Sequence, residues 1–307
     1  MKKKLLFPVM LAGVIAFACD SEDDSVRDLE APTITFAENR DTFRPVMNEI
    51  RSRATDHMHI RFSVQDESGI QQVRIDIHGG FDGHTHGRVS GAFEQLLVND
   101  IIEVDGARFY NHDDSSLDVY WEGNDPRNRI ETNVLAGPYH ISIDATDIFG
   151  NATSHANGTT ISKTFFIERP YAPEFLIDNA VNGAFTATSG QPLNVEGKVE
   201  VTNHPLSSEL AFFWARVSTE NSDDEDLVLA GNDIYERMWG RSMYRVDNNG
   251  DRFRGPALPS TSMLDLTTLF TGDAAINVPS GSENLWLILW VEDTAGNVTR
   301  RAFRINR

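Results

Sequence analysis

Three of the chain's nine histidines fall within nine residues: His78, His84 and His86, in Ile75-Asp76-Ile77-His78-Gly79-Gly80-Phe81-Asp82-Gly83-His84-Thr85-His86. Imidazole is neutral above about pH 6.5 and ligates zinc, copper or nickel. In Val73-Ile75-Ile77 the apolar residues alternate with Arg74, Asp76 and His78, and in Tyr139-Ile141-Ile143 they alternate with His140, Ser142 and Asp144. Such period-two alternation marks strands with one face on a core, so both histidines point away from it. If the two strands are antiparallel neighbours, the end of one lies beside the start of the other, and His78 meets His140. Gly79, Gly80 and Gly83 let the following loop turn back sharply, which would bring His84, His86 and Asp82 to the same spot. Four imidazoles could complete a tetrahedral zinc or copper site; the alternative is a set of solvated or hydrogen-bonded surface histidines. A hydrolytic zinc would need an open position and a general base nearby. The chain has no His-Glu-x-x-His helix and no Gly-x-Ser-x-Gly elbow, and only Asp82 could serve as ligand or base, so no enzyme is expected.

The elements that must hold these residues are strands. Met58-Ile60-Phe62-Val64 alternates with His57, His59, Arg61 and Ser63, and short apolar runs bounded by Gly, Asn and Asp recur along the chain. His57 and His59 are expected on the opposite sheet, outside the site, and His112, His155 and His204 in loops. An internal repeat is visible. Asp147-Ile148-Phe149-Gly150-Asn151-Ala152-Thr153 matches Asp293-Thr294-Ala295-Gly296-Asn297-Val298-Thr299, and each stands between two apolar strands. Ala31-Pro32 and Ala172-Pro173 open the two copies. With Asp66-Glu67-Ser68-Gly69-Ile70 this pattern resembles bacterial immunoglobulin-like domains, whose third and sixth strands are antiparallel neighbours. The expected fold is all-β: two tandem immunoglobulin-like sandwiches, residues 30–168 and 171–307, joined at Glu168-Arg169-Pro170, with insertions near 87–133 and 219–280. Aligning the copies puts His140 on Trp286 and His78 on Ser218, so the scaffold itself does not demand histidine there.

The His-rich motif, with Gly137-Pro138-Tyr139-His140, also resembles a family of Bacteroidota lipoproteins known only as a domain of unknown function. That resemblance covers roughly residues 30–168 and implies no activity. In the second copy, alternation puts Trp214, Trp286 and Trp290 on the outer face of one sheet. They would form either an aromatic platform for glycan rings or a face buried under Asp233-Ile234-Tyr235-Glu236-Arg237-Met238-Trp239 or the first module. Large exposed apolar patches are rare, and burial is the expectation. Asp247-Asn248-Asn249-Gly250-Asp251 lacks the spacing of a calcium loop and reads as a hairpin turn.

Lys2, Lys3 and Lys4 precede an apolar run from Leu5 to Ala18, too short to span a bilayer and of signal-peptide length. It ends in Ala16-Phe17-Ala18-Cys19, the chain's single cysteine. This resembles the lipobox of bacterial lipoproteins, which implies cleavage after residue 18 and lipid on Cys19; the alternative is an ordinary signal peptide and an idle thiol. Asp20-Ser21-Glu22-Asp23-Asp24 then reads as a solvated tether over residues 19–29. It also resembles the acidic export signal of Bacteroidota surface lipoproteins. The expected location is the outer membrane, surface-exposed, with a periplasm-facing orientation as the alternative. Loss of residues 1–18 removes three of 27 basic residues and leaves 24 against 46 acidic, a net charge of −22. Such a chain repels nucleic acid. Its expected contacts are the membrane, through the lipid, and a glycan or surface protein.

Overall fold

A computed structural model describes residues 28–36, 43, 46, 49–52, 60–80, 93, 97–113, 134–221, 233–247, 249–281 and 284–307. His57, His59, Asp82, His84, His86 and Cys19 lie outside the described residues. The protein is almost all β, built as two sandwiches in tandem.

The first contains β1 (Thr33–Thr35), β2 (Glu49–Ser52), β3 (Arg61–Gly79), β4 (Val98–Asp113), β5 (Gly137–Asp147) and β6 (Ile161–Glu168). Two of these strands serve both layers. The first part of β3 pairs with β1 and with the end of β4. Its second part pairs with the start of β4 and with β5, and β5 pairs in turn with β6. Both long strands bend where Gly69 (φ +111°) faces Asp105 and Gly106 (φ +55° and +79°), and the register shifts there between Gln65 and Ile70. A Cβ on Gly69 would sit 2.5 Å from the Gly106 carbonyl oxygen, so only glycine allows the bend. Ile60, Phe62, Val64, Val73, Ile75, Ile77, Tyr139, Ile141 and Ile143 are all fully buried in one core, as their alternation requires.

The second module repeats the plan with its strands broken at the bends. β7 (Glu174–Ile177), β9 (Gly197–Glu200) and β13 (Met263–Asp265) form one layer. The other orders as β12 (Arg252–Arg254), β11 (Tyr235–Val246), β10 (Leu210–Ser218), β14 (Leu285–Asp293), β15 (Val298–Asn306) and β8 (Ala184–Thr186). In both modules a short strand lies parallel to the last one, β2 on β6 and β8 on β15. Phe213, Ala215, Val217, Leu285, Leu287, Leu289 and Val291 face Val199 and Leu264 in a second core.

Two expectations are corrected here. Residues 233–239 do not lie over the sheet; 235–239 begin β11, which pairs edge to edge with β10 from Phe212↔Gly240 to Val217↔Tyr235. The alternation Tyr235-Glu236-Arg237-Met238-Trp239 is that of a strand. His112 is no loop residue either. It sits in β4, 7% exposed, with its ring stacked on Phe62 at 4.9 Å and Nδ1 2.7 Å from the Tyr110 hydroxyl.

Candidate metal centre

The antiparallel register between β3 and β5 places His78 directly opposite His140, and that between β5 and β6 places His140 opposite Thr164. One row across the outer face therefore reads His78, His140, Thr164. The two imidazole centroids are 5.7 Å apart with ring planes at 41°. His78 Nδ1 lies 3.3 Å from an Asp76 carboxylate oxygen, and His140 Nδ1 lies 3.1 Å from the Thr164 hydroxyl. Each ring thus has a polar neighbour at Nδ1.

The chain leaving β3 is pinned beside them. Gly80 N–H donates to the Pro138 carbonyl at 2.9 Å, and Gly80 is buried beneath the His140 ring. A Cβ on Gly80 would stand 2.5 Å from His140 Nε2, so the ring occupies the space that a side chain would take. An open groove of about 490 Å³ adjoins His78, lined by Arg74, Asp76, Ile77, Leu97, Val98 and Asn99. Arg74 bridges its walls, donating to Asn99 and Asp76 at 2.8 Å each.

The second module has Ser218 opposite Trp286 in the corresponding row, as the repeat alignment expects. Its outer face is closed. Trp214 and Trp290 are each 1% exposed. Trp214 Nε1 donates to Glu236 at 3.0 Å, with the Arg216 guanidinium 4.7 Å from the ring and Phe253 edge-on at 5.3 Å. Trp290 Nε1 donates to Glu292, with Arg245 4.5 Å away and Phe166 of the first module edge-on at 6.1 Å. Burial pushes the carboxyls of Glu292 and Glu236 up, and for Glu236 the nearby Asp233 adds to the effect. Trp286 is half-buried, with Arg304 5.3 Å above it. A three-tryptophan platform open to a sugar is therefore not formed.

One cluster escaped the sequence reading. Carboxylate oxygens of Asp28, Asp66 and Asp147 lie within 4.8 Å of one another. All three accept from nearby backbone N–H groups, Asp28 from Glu30 at 3.0 Å. Asp66 accepts from Ser68 and Gly69 N–H at 2.9 Å each, and Asp147 from Phe149 and Asn151 N–H at 2.9 and 2.7 Å. Burial alone would raise Asp147; the bonds from Asn151, Phe149 and Ser68 outweigh it and hold the carboxyl below its ordinary value. Asp66 and Asp147 both stand in motifs quoted from the sequence; the convergence of Asp28 on them is tertiary. Asp247 likewise accepts from Asn249 and Asp251 N–H at 2.8 and 2.9 Å in the hairpin between β11 and β12.

Residues 17–162 match the family model described as a domain of unknown function (DUF4625). No curated protein matches the sequence. Among solved structures, the fibronectin(III)-like modules of Clostridium thermocellum CbhA are 10% identical over 89% of this chain and 93% of theirs, with a TM-score of 0.23. A DUF3823 family protein from Parabacteroides merdae is 9% identical over 90% of this chain and 99% of its own, with a TM-score of 0.29. SGBP-B of the Bacteroides ovatus mixed-linkage glucan utilization locus, solved with a heptasaccharide, is 11% identical over 91% and 48%, with a TM-score of 0.23. These similarities concern fold class alone.

Proposed function

We propose that this chain is an outer-membrane lipoprotein, acylated at Cys19, whose first module captures a transition metal ion, zinc or copper. The paired imidazoles carry the reading. Ligating histidines characteristically donate Nδ1–H to a carboxylate, hydroxyl or carbonyl, which fixes the tautomer and leaves Nε2 for the metal. Asp76 beside His78 Nδ1 and Thr164 beside His140 Nδ1 are neighbours of that kind. Two imidazoles on one tetrahedral zinc, with metal–nitrogen bonds of about 2.0–2.1 Å, hold their centroids roughly 5 Å apart; here the separation is 5.7 Å. His84 and His86, with Asp82, are the further ligands this reading assigns to the loop after Gly80. The second module's Ser218 and Trp286 support it too, because the same scaffold position tolerates other residues. The family match begins at residue 17 and so takes in Cys19 and the acidic tether.

Calorimetric titration of the full chain with zinc and with copper tests the site, beside His78→Ala/His140→Ala and His84→Ala/His86→Ala. One-to-one binding weakened at least tenfold by each double substitution is the expected result. A wild-type chain that takes up neither metal overturns the metal reading and leaves a glycan- or protein-binding module. Binding that survives loss of His84 and His86 confines the site to the strand pair. Intact mass of the membrane-extracted protein tests acylation separately.

A further inference from the structure

The turn between β5 and β6 offers a comparison within one molecule. In the second module the equivalent turn carries Thr294 and Ala295 and is docked on the first: Asn297 Oδ1 accepts from Ala136 N–H at 3.1 Å, and Val298 N–H donates to the Ala136 carbonyl at 2.9 Å. In the first module the same two positions are Ile148 and Phe149, 49% and 41% exposed. Leu29, 78% exposed, joins them, because Asn151 Nδ2 donates to the Asp28 carbonyl at 2.9 Å and ties the incoming chain to this turn. Three large apolar side chains therefore sit at the one end of the module where the chain enters from the N-terminal side.

We propose that this tip, Leu29 with Ile148 and Phe149, rests on the lipid surface to which the chain is anchored. The proposal rests on the acylation of Cys19 put forward above. Nine residues, 19–27, separate Asp28 from the preceding residue 18, and fully extended they reach at most about 30 Å. An anchored module cannot lift its entering end further than that from the headgroups, so the tip is always within reach of the bilayer. Apolar side chains on a turn suit the interface between headgroups and acyl chains. The charge around them selects the lipid: Glu30, Glu67 and the Asp28–Asp66–Asp147 cluster are acidic, as is the tether. Zwitterionic headgroups fit this end, and anionic ones are repelled.

The test uses the full chain, purified with its lipid and reconstituted in phosphatidylcholine vesicles, with a nitroxide on Ile148→Cys or, as a control, on Val181→Cys in the second module (71% exposed in the native chain). Acylation consumes the Cys19 thiol, so the introduced cysteine is the one that reacts; circular dichroism checks the fold of both variants. Collisions with oxygen, which concentrates in lipid, should exceed those with an aqueous nickel chelate at 148 and fall below them at 181. An acylated protein, confirmed by mass, in which 148 behaves like 181 overturns the tip contact and leaves the anchor standing. Shielding of 148 from both reagents overturns it as well, since protein would then cover the tip. An unacylated Cys19 removes the anchor, and the proposal falls with it.

Discussion

At the scale of single residues, the imidazole pair depends on a position with no side chain. Alanine at Gly80 would place a methyl 2.5 Å from His140 Nε2, so the ring must leave its present position. Gly80→Ala is expected to cut metal affinity at least tenfold while shifting unfolding stability by only about 1 kcal/mol, the ordinary cost of a small overpacking; calorimetry and urea denaturation read the two effects. The matched turn aspartates respond to acid in opposite directions. Burial at the docked turn pushes Asp293 up to about 6, against bonds from Asn297 and Ala295 that pull it down. Its native state holds a proton that the unfolded chain releases, so this group's contribution to stability is greatest below about pH 4 and declines as pH rises to about 6. Asp147, held low, contributes fully above the ordinary carboxylate range and loses that contribution as pH falls through its depressed value. The stability gap between wild type and Asp293→Asn should therefore move in favour of the variant by on the order of 2–3 kcal/mol between pH 4 and pH 6.5, measured by urea midpoints. The meeting of His78 and His140 could be read from sequence because alternation put both on the outer face and the resemblance to immunoglobulin-like domains made their strands antiparallel neighbours. The burial of His112 could not, because its stacking partner Phe62 lies on another strand, 50 residues away in sequence.

At the scale of elements, the bend in β3 carries the first sandwich, since one strand reaches both layers through it. Replacing Gly69 with alanine strains a φ of +111° and drives a methyl onto the Gly106 carbonyl. A loss of roughly 2–4 kcal/mol is expected, seen as a lower urea midpoint with the slope unchanged. The strands themselves were legible wherever apolar residues took every second place. Their continuity was not: Asp66-Glu67-Ser68-Gly69 carries the signals of a turn, and only pairing with the bent β4 turns it into a corner within one strand. The role of 235–239 was misread for a related reason. A strand added to a sheet and a segment lying over it both show amphipathic spacing over so few residues, and the pairing with β10 decides between them.

At the scale of the whole molecule, the two modules share a boundary with the character of an interior. Phe166 meets Trp290 and Arg300, Arg301 pairs with Glu168 at 2.6 Å, and Asn297 reaches Ala136. The first core cluster runs on into Phe212, Trp214 and Trp290 of the second module. Trp290→Ala is expected to cost about 3–5 kcal/mol and to split one calorimetric unfolding transition into two, because it empties the boundary rather than either core. This coupling matters for the histidines. They stand at the far end of β3 from the Asp147–Asn151 turn, beyond eight residues of extended strand from Ile70 to His78, roughly 26 Å at about 3.3 Å each. Were the turn seated on lipid as proposed, that strand would set the imidazoles off from the bilayer by at most its own length. An ion held there is offered to whatever moves through the surrounding solution, and a membrane-embedded acceptor could collect it only by projecting a domain of matching height.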